Sequence, residues 1–196
     1  MDDVQQKSVR RVVMLVVALN LAYFGVEFAV ALRIGAVSLF ADSIDFLEDA
    51  SVNLLILLAL AWTARQRARV GMALAAILLA PALGTAWALW HKFVSPTPPE
   101  PFALSITGSG ALVVNLFCAF QLARVRHHAG SLTQAAFLSA RNDAVANVAI
   151  IAAGALTALT SSIWPDVVVG IGIAIMNADA AREIWEAAHD EHEAAA

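Results

Sequence analysis

Asp42, Asp45, Glu48 and Asp49 stand in an otherwise apolar stretch, Ala41 to Asn53, which reads ADSIDFLEDASVN. At about 100° per residue these carboxylates fall within roughly 120° of one helix face. Carboxylates that converge can hold a cation, pass protons or, as a pair sharing one proton, activate water. The segment around them, residues 36–62, is long enough to cross a bilayer, because about 20 residues at 1.5 Å each span the hydrocarbon. Asp49 then sits near mid-membrane, where a carboxylate costs roughly 2.5 to 3.5 kcal/mol on insertion scales. A cluster at that depth must face a polar interior, and it marks the functional core.

The rest of the chain must position this cluster in lipid. It has 196 residues, 60% of them hydrophobic, and a mean hydropathy of +0.73. That lies outside the range of ordinary soluble domains and predicts an integral membrane protein. The expected fold is an all-α bundle of six transmembrane helices in a single domain, 1–196. The helices are expected at about 10–32, 36–62, 70–92, 102–124, 134–158 and 163–185, with a short N-terminal arm, 1–9, and a tail, 186–196. The single cysteine, Cys118, falls in an expected helix and reads as a small buried apolar residue. The formal charge of -4 carries little information, because the acids concentrate in helices and tail while the bases sit in loops. With six spans, Lys7, Arg10, Arg11, Arg65, Arg67, Arg69, Arg124, Arg126 and Arg182 fall on one side, against Arg33 and Lys92 on the other. The excess of bases predicts both termini in the cytoplasm.

Further polar residues interrupt the apolar runs. Asn20 and Glu27 share one face of the first helix, seven positions apart. Arg33-Ile34-Gly35 reads as a tight turn. The third helix has small residues but no ionisable group, and it reads as packing or dimer surface. Ser95 to Pro101 (SPTPPEP) must lie outside the membrane, since helix interiors exclude such a run. Ser105, Thr107, Ser109 and Asn115 on the fourth helix suit interhelical hydrogen bonds. On the fifth, Ser139, Asp143 and Asn147 form one stripe at intervals of four, and Arg141 projects elsewhere. Pro165 suits a helix first turn and Trp164 a membrane interface. His127 and His128 in a basic loop, and His189 and His192 in the tail, read as solvated residues rather than metal ligands.

Depth links separate helices. The second and fifth run in opposite directions, and Asp49 and Asp143 each lie within a few residues of their segment centres, on the order of 5 Å at 1.5 Å per residue. Asn20 reaches a similar depth, while Glu27 and Asp42 lie about 10 Å nearer the outer face. The pattern is a midplane carboxylate site with Asp42 and Glu27 as an outer vestibule. Hard oxygen ligands with no cysteine nearby suit a divalent cation.

The motifs ADSID to Asp49, SARND (residues 139–143) to Asn147, and WPDVVVG (164–170) together resemble the cation diffusion facilitator family of divalent-metal/proton antiporters. The likeness covers nearly the whole chain in helix number and motif order. It implies that Asp45 and Asp49 on the second helix and Asp143 on the fifth are metal ligands, with Ser139, Asn147 or Asn20 as possible additional ligands. The sequence departs from the family twice. Many members carry His or Asp where Ser139 stands here, so the metal (Zn, Mn, Co, Cd or Fe) is left open. The usual cytoplasmic C-terminal domain does not follow, so this is expected to be a short form, and a homodimer is a possibility only.

The function so implied is export of divalent metal from the cytoplasm in exchange for protons, by a multi-pass protein of a bacterial inner membrane whose partners are the lipid bilayer, metal ions and protons, not nucleic acid. Metal and protons would compete for the same carboxylates, which is a physical basis for antiport. Two alternatives are a non-transporting homologue acting as membrane partner or metal sensor, and an intramembrane aspartyl hydrolase. The glycine-aspartate signature of such a hydrolase is absent, so no enzyme is expected. The topology has a direct test: a reporter active only outside the cytoplasm should give signal from the loop at 96–101 and none from the tail, and signal from the tail would refute the six-span arrangement.

Overall fold

A computed structural model describes residues 3–59, 83–125 and 131–194, and every regular element among them is a helix. The helices are α1 (Asp3–Ile34), α2 (Val37–Ala59), α3 (described over 83–94), α4 (Pro101–Ala123), α5 (Ser131–Thr160) and α6 (Trp164–Ala194). Residues 70–82 of the expected third helix, the loop of Arg65, Arg67 and Arg69, and the His127-His128 loop lie outside the described residues, as do the side chains of His189 and His192.

Two helices run past the spans expected for them. α1 begins at Asp3, so most of the expected arm is helical, and α6 continues through the expected tail to Ala194. The physical reason is local. Neither stretch contains Gly or Pro, and the alanines and glutamates after Trp185 are strong helix formers. A helix can leave the hydrocarbon without ending.

The bundle is apolar outside and polar inside. Leu159 and Phe102 are 82% and 72% exposed, and Trp90, Val113, Phe120 and Val168 also face outward. Glu27 and Asp42, by contrast, are 0% exposed, and Asn20, Asn147 and Asp166 are equally enclosed. This inversion suits a lipid surround, where apolar side chains face the solvent and polar ones pair within the bundle. Among the described residues, three helical segments, Lys7–Ile34, Pro101–Ala123 and Ser139–Thr160, are long and apolar enough to cross a membrane. α2 is not among them, because any stretch of it long enough to span includes Asp42, Asp45, Glu48 and Asp49. It depends on its neighbours: α1, α5 and α6 pack against it.

The turn between α1 and α2 needs a glycine. Gly35 adopts φ +63° and the Ala36 amide closes back on the Ala31 carbonyl at 3.1 Å, which ends α1 in a Schellman motif. α2 therefore starts behind Ala36, whose side chain cannot cap it. Asp166, from the first turn of α6, supplies the cap through space. Its carboxylate accepts from the Val37 and Ser38 amides at 2.9 Å each and from Ser38 Oγ at 2.7 Å. The positive end of the helix dipole adds to these charge-assisted bonds. Lys92 of α3 completes the group, 3.4 Å from Asp166 Oδ2 and 3.0 Å from the Thr97 carbonyl. Gly170, one turn on from Asp166, lets α6 come this close, since a Cβ there would lie 2.9 Å from the Ser38 nitrogen.

One carboxylate thus ties α6, α2 and α3 together at the end of the bundle opposite the termini. Asp166→Ala leaves Lys92 buried without a counter-charge, and should cost about 3–5 kcal/mol of stability, read as a lowered midpoint of thermal unfolding in detergent. Adding Lys92→Met to Asp166→Ala should recover part of that loss; a double variant less stable than Asp166→Ala alone would show that the two residues act independently.

Candidate cation site

α2 presents its acids to three neighbouring helices. Asp45, Glu48 and Asp49 line a cavity of about 150 Å³ together with Ser139, Asn142 and Asp143 of α5 and Met176 and Asn177 of α6. Asp49 and Asp143 are buried, Asp45 is half-buried, and Asn142 and Met176 at the rim are exposed. The three aspartates singled out in the sequence therefore share one cavity. Among the described residues, however, no three His, Cys, Asp or Glu side chains are drawn together tightly enough to hold a metal ion as they stand. A larger cavity of about 330 Å³ at the opposite end is lined by Arg33, His91 and Lys92. It has no carboxylate on its walls, and its bases disfavour a cation.

Hydrogen bonds fix the cavity's acids. Ser139 Oγ donates to Asp49 Oδ1 at 2.9 Å across the α2–α5 interface, as its place one turn before Asp143 predicts. Asn53 Nδ2 donates to the Asp49 carbonyl at 2.8 Å, and Asn177 Nδ2 to the Ala41 carbonyl at 3.1 Å, tying α6 to α2. Asn20 stands beside Asp49, with its oxygen accepting from the Cys118 thiol at 3.7 Å. Its amide nitrogen is buried with no hydrogen-bond partner among the described residues. Glu48 is buried on the cavity wall, and its Oε1 likewise has no donor. Arg141 is exposed, away from the site.

Asn147 sits elsewhere. Its Nδ2 donates to Asp42 Oδ2 at 2.6 Å and its Oδ1 accepts from Asn115 Nδ2 at 3.0 Å. Both ends of the amide are engaged, and Asn147 is not on the cavity wall. Asp42 faces Glu27 of α1 on its other side, so these two form a group separate from the cavity and enclosed rather than an open vestibule.

Three contributors had no clear signal in the sequence. Asn177 could have been found as a lone amide in an apolar helix. Asn142 is adjacent to Asp143 but off the stripe at intervals of four. Asp166 reads as a first-turn residue of its own helix, and nothing in the pattern says that it caps another.

Comparison with protein families adds what geometry alone cannot. The family model described as the cation efflux transmembrane domain matches residues 13–190. A search of curated proteins returned no match. Asn147→Ala should lower stability by about 1–3 kcal/mol, by leaving Asp42 and Asn115 without their partner. Calorimetry should show the metal affinity of the cavity little changed, and a large loss of affinity in a folded variant would place Asn147 among the ligands. With nearly its whole length matched, the chain belongs to the cation efflux family, and it is a membrane protein that transports divalent metal cations rather than an enzyme.

Proposed function

We propose that the protein exports divalent metal from the cytoplasm in exchange for protons, with Asp45, Asp49 and Asp143 as the metal ligands. The observation that carries this reading is the shared cavity, in which α2 and α5 contribute all three aspartates and Ser139 already joins the two helices. Its lining is oxygen-rich and free of sulfur ligands apart from the Met176 thioether, which suits a hard or borderline divalent ion.

Direction follows from placement. The cavity residues lie around the middle of α2 and in the N-terminal half of α5, whose start is at the end of the bundle that carries both chain termini. The distribution of Lys and Arg puts that end in the cytoplasm, in the inner membrane if the source is a bacterium. The opposite end is held together by the Asp166 clamp and by aromatic packing of Phe28 on Phe40, ring centroids 5.4 Å apart. Transport then requires the helices to rock, opening the outer end as the inner one closes. Metal binding needs deprotonated carboxylates, so metal affinity should fall with falling pH, and proton and metal would alternate at the site.

Asp49→Ala and Asp143→Ala should abolish metal uptake into proteoliposomes without loss of folded protein, and Glu48→Ala should be milder. Normal uptake by Asp143→Ala would refute the ligand assignment on α5, and no uptake by the wild-type chain would favour a sensor or membrane partner.

Ser139 sets the selectivity test. It contacts Asp49 directly, so a histidine there would bring an imidazole nitrogen to the same cation. Zn²⁺ favours nitrogen-containing tetrahedral sites, whereas an oxygen-only site accommodates Mn²⁺ relatively better. Ser139→His should therefore raise Zn²⁺ affinity more than Mn²⁺ affinity in calorimetry at matched pH. Equal gains for both would mean that the imidazole does not reach the ion.

A further inference from the structure

Glu27 and Asp42 are both 0% exposed, and they face each other within hydrogen-bonding reach. Both oxygens of Glu27 and Oδ1 of Asp42 have no hydrogen-bond donor among the described residues. Buried carboxylate oxygens without a donor are costly, and two ionised carboxylates this close repel.

The surrounding groups do not supply the missing donor. Tyr23, the ionisable neighbour on α1, gives its hydroxyl proton to the Thr107 carbonyl at 2.6 Å. The Asn115 amide of α4 is spent on Asn147, and the Asn147 amide of α5 on Asp42 Oδ2. The charged groups that act on the pair from α2 and α5 are Asp45, Asp49 and Asp143, all acids. From α6, Asn177 bonds the Ala41 carbonyl and Asp166 is held by Lys92 and the start of α2. A proton on one of the two carboxyls would supply that donor. If Glu27 carries it and donates to Asp42 Oδ1, one hydrogen bond satisfies an oxygen of each residue, while Asp42 Oδ2 keeps the Asn147 amide.

We infer that Glu27 and Asp42 form a proton-binding site of their own, apart from the metal ligands, with Glu27 as the residue that carries the proton. Asp42 precedes Asp45 by one helical turn, about 5 Å along α2. A divalent ion held by Asp45 and Asp49 brings positive charge next to the pair, which favours release. The O–H bond of Glu27 breaks, its electron pair stays on the carboxylate, and the proton passes to water. This deepens the antiport reading and rests on it, because it gives the exchanged proton a place the metal does not occupy.

The site can be tested apart from transport. In the full chain in lipid nanodiscs without metal, the infrared spectrum should contain a protonated-carboxyl band that is lost in Glu27→Gln and lost or shifted in Asp42→Asn. Gln at position 27 supplies an N–H to Asp42 as the protonated acid does, so Glu27→Gln should fold and bind metal at the Asp45 cavity. In proteoliposomes its metal transport should respond much less than wild type to an imposed pH gradient. If wild type transports but neither substitution alters the carboxyl band, the proton site is wrong. An ion bound at the pair when the cavity ligands are removed also overturns it. Failure of wild type to transport would sink the antiport reading while leaving the infrared result to stand or fall by itself.

Discussion

The structure depends on keeping carboxylates inside a protein whose outside must be apolar. Each acid on α2 would be costly in hydrocarbon, and together they make α2 unable to span alone. The neighbouring helices are therefore organised as a polar lining for it. Ser139 and Asn147 of α5 and Asn177 of α6 each donate to an acid or carbonyl of α2, and Asn53 donates to the Asp49 carbonyl from within it. The outward faces of the same helices carry large apolar residues. The acids set the arrangement of the bundle, not only the chemistry of one cavity.

The two ends of α2 are treated differently. At its start, Asp166 binds backbone amides and Lys92 in a fully buried network, so that α2, α3 and α6 form one unit there. Around its middle the cavity lies between α2, α5 and α6, with exposed residues at the rim. A helix pinned at one end and lined by a cavity further along can transmit movement between them. On the transport reading, opening that end would disturb the Asp166 network, which is enclosed and hydrogen-bonded to the start of α2.

Much of this was legible in the sequence, because helical period and depth are set by backbone geometry. The spacing of Asp42, Asp45, Glu48 and Asp49 put them on one face, and the stripe of Ser139 and Asp143 put these opposite Asp49. What the spacing does not contain is rotamer choice and the contacts of single side chains. Asn147 belongs to the same stripe, yet its amide turns to Asp42 and Asn115, because Asp42 offers a charged acceptor one turn further out. Asp166 is 129 positions from the amide it caps, and no local pattern encodes such a pairing. After Trp185 hydropathy falls but helix propensity does not, and α6 continues to Ala194.

The cavity is larger than the ion proposed for it. At about 150 Å³ it has room for several waters, each taking about 30 Å³ in the liquid, and is far larger than a bare divalent ion. Its aspartates are near one another but not gathered into a cage. On the proposed reading a cation would enter partly hydrated, and full coordination would require α5 to close on α2. The ion's attraction for the three carboxylates would then supply the differential affinity by which a ligand shifts a conformational equilibrium. A rigid, preformed cage would bind more tightly but would have no reason to move. The bond from Ser139 to Asp49 joins the two helices, and a hydroxyl, as a weak ligand, would on this reading leave the ion free to depart.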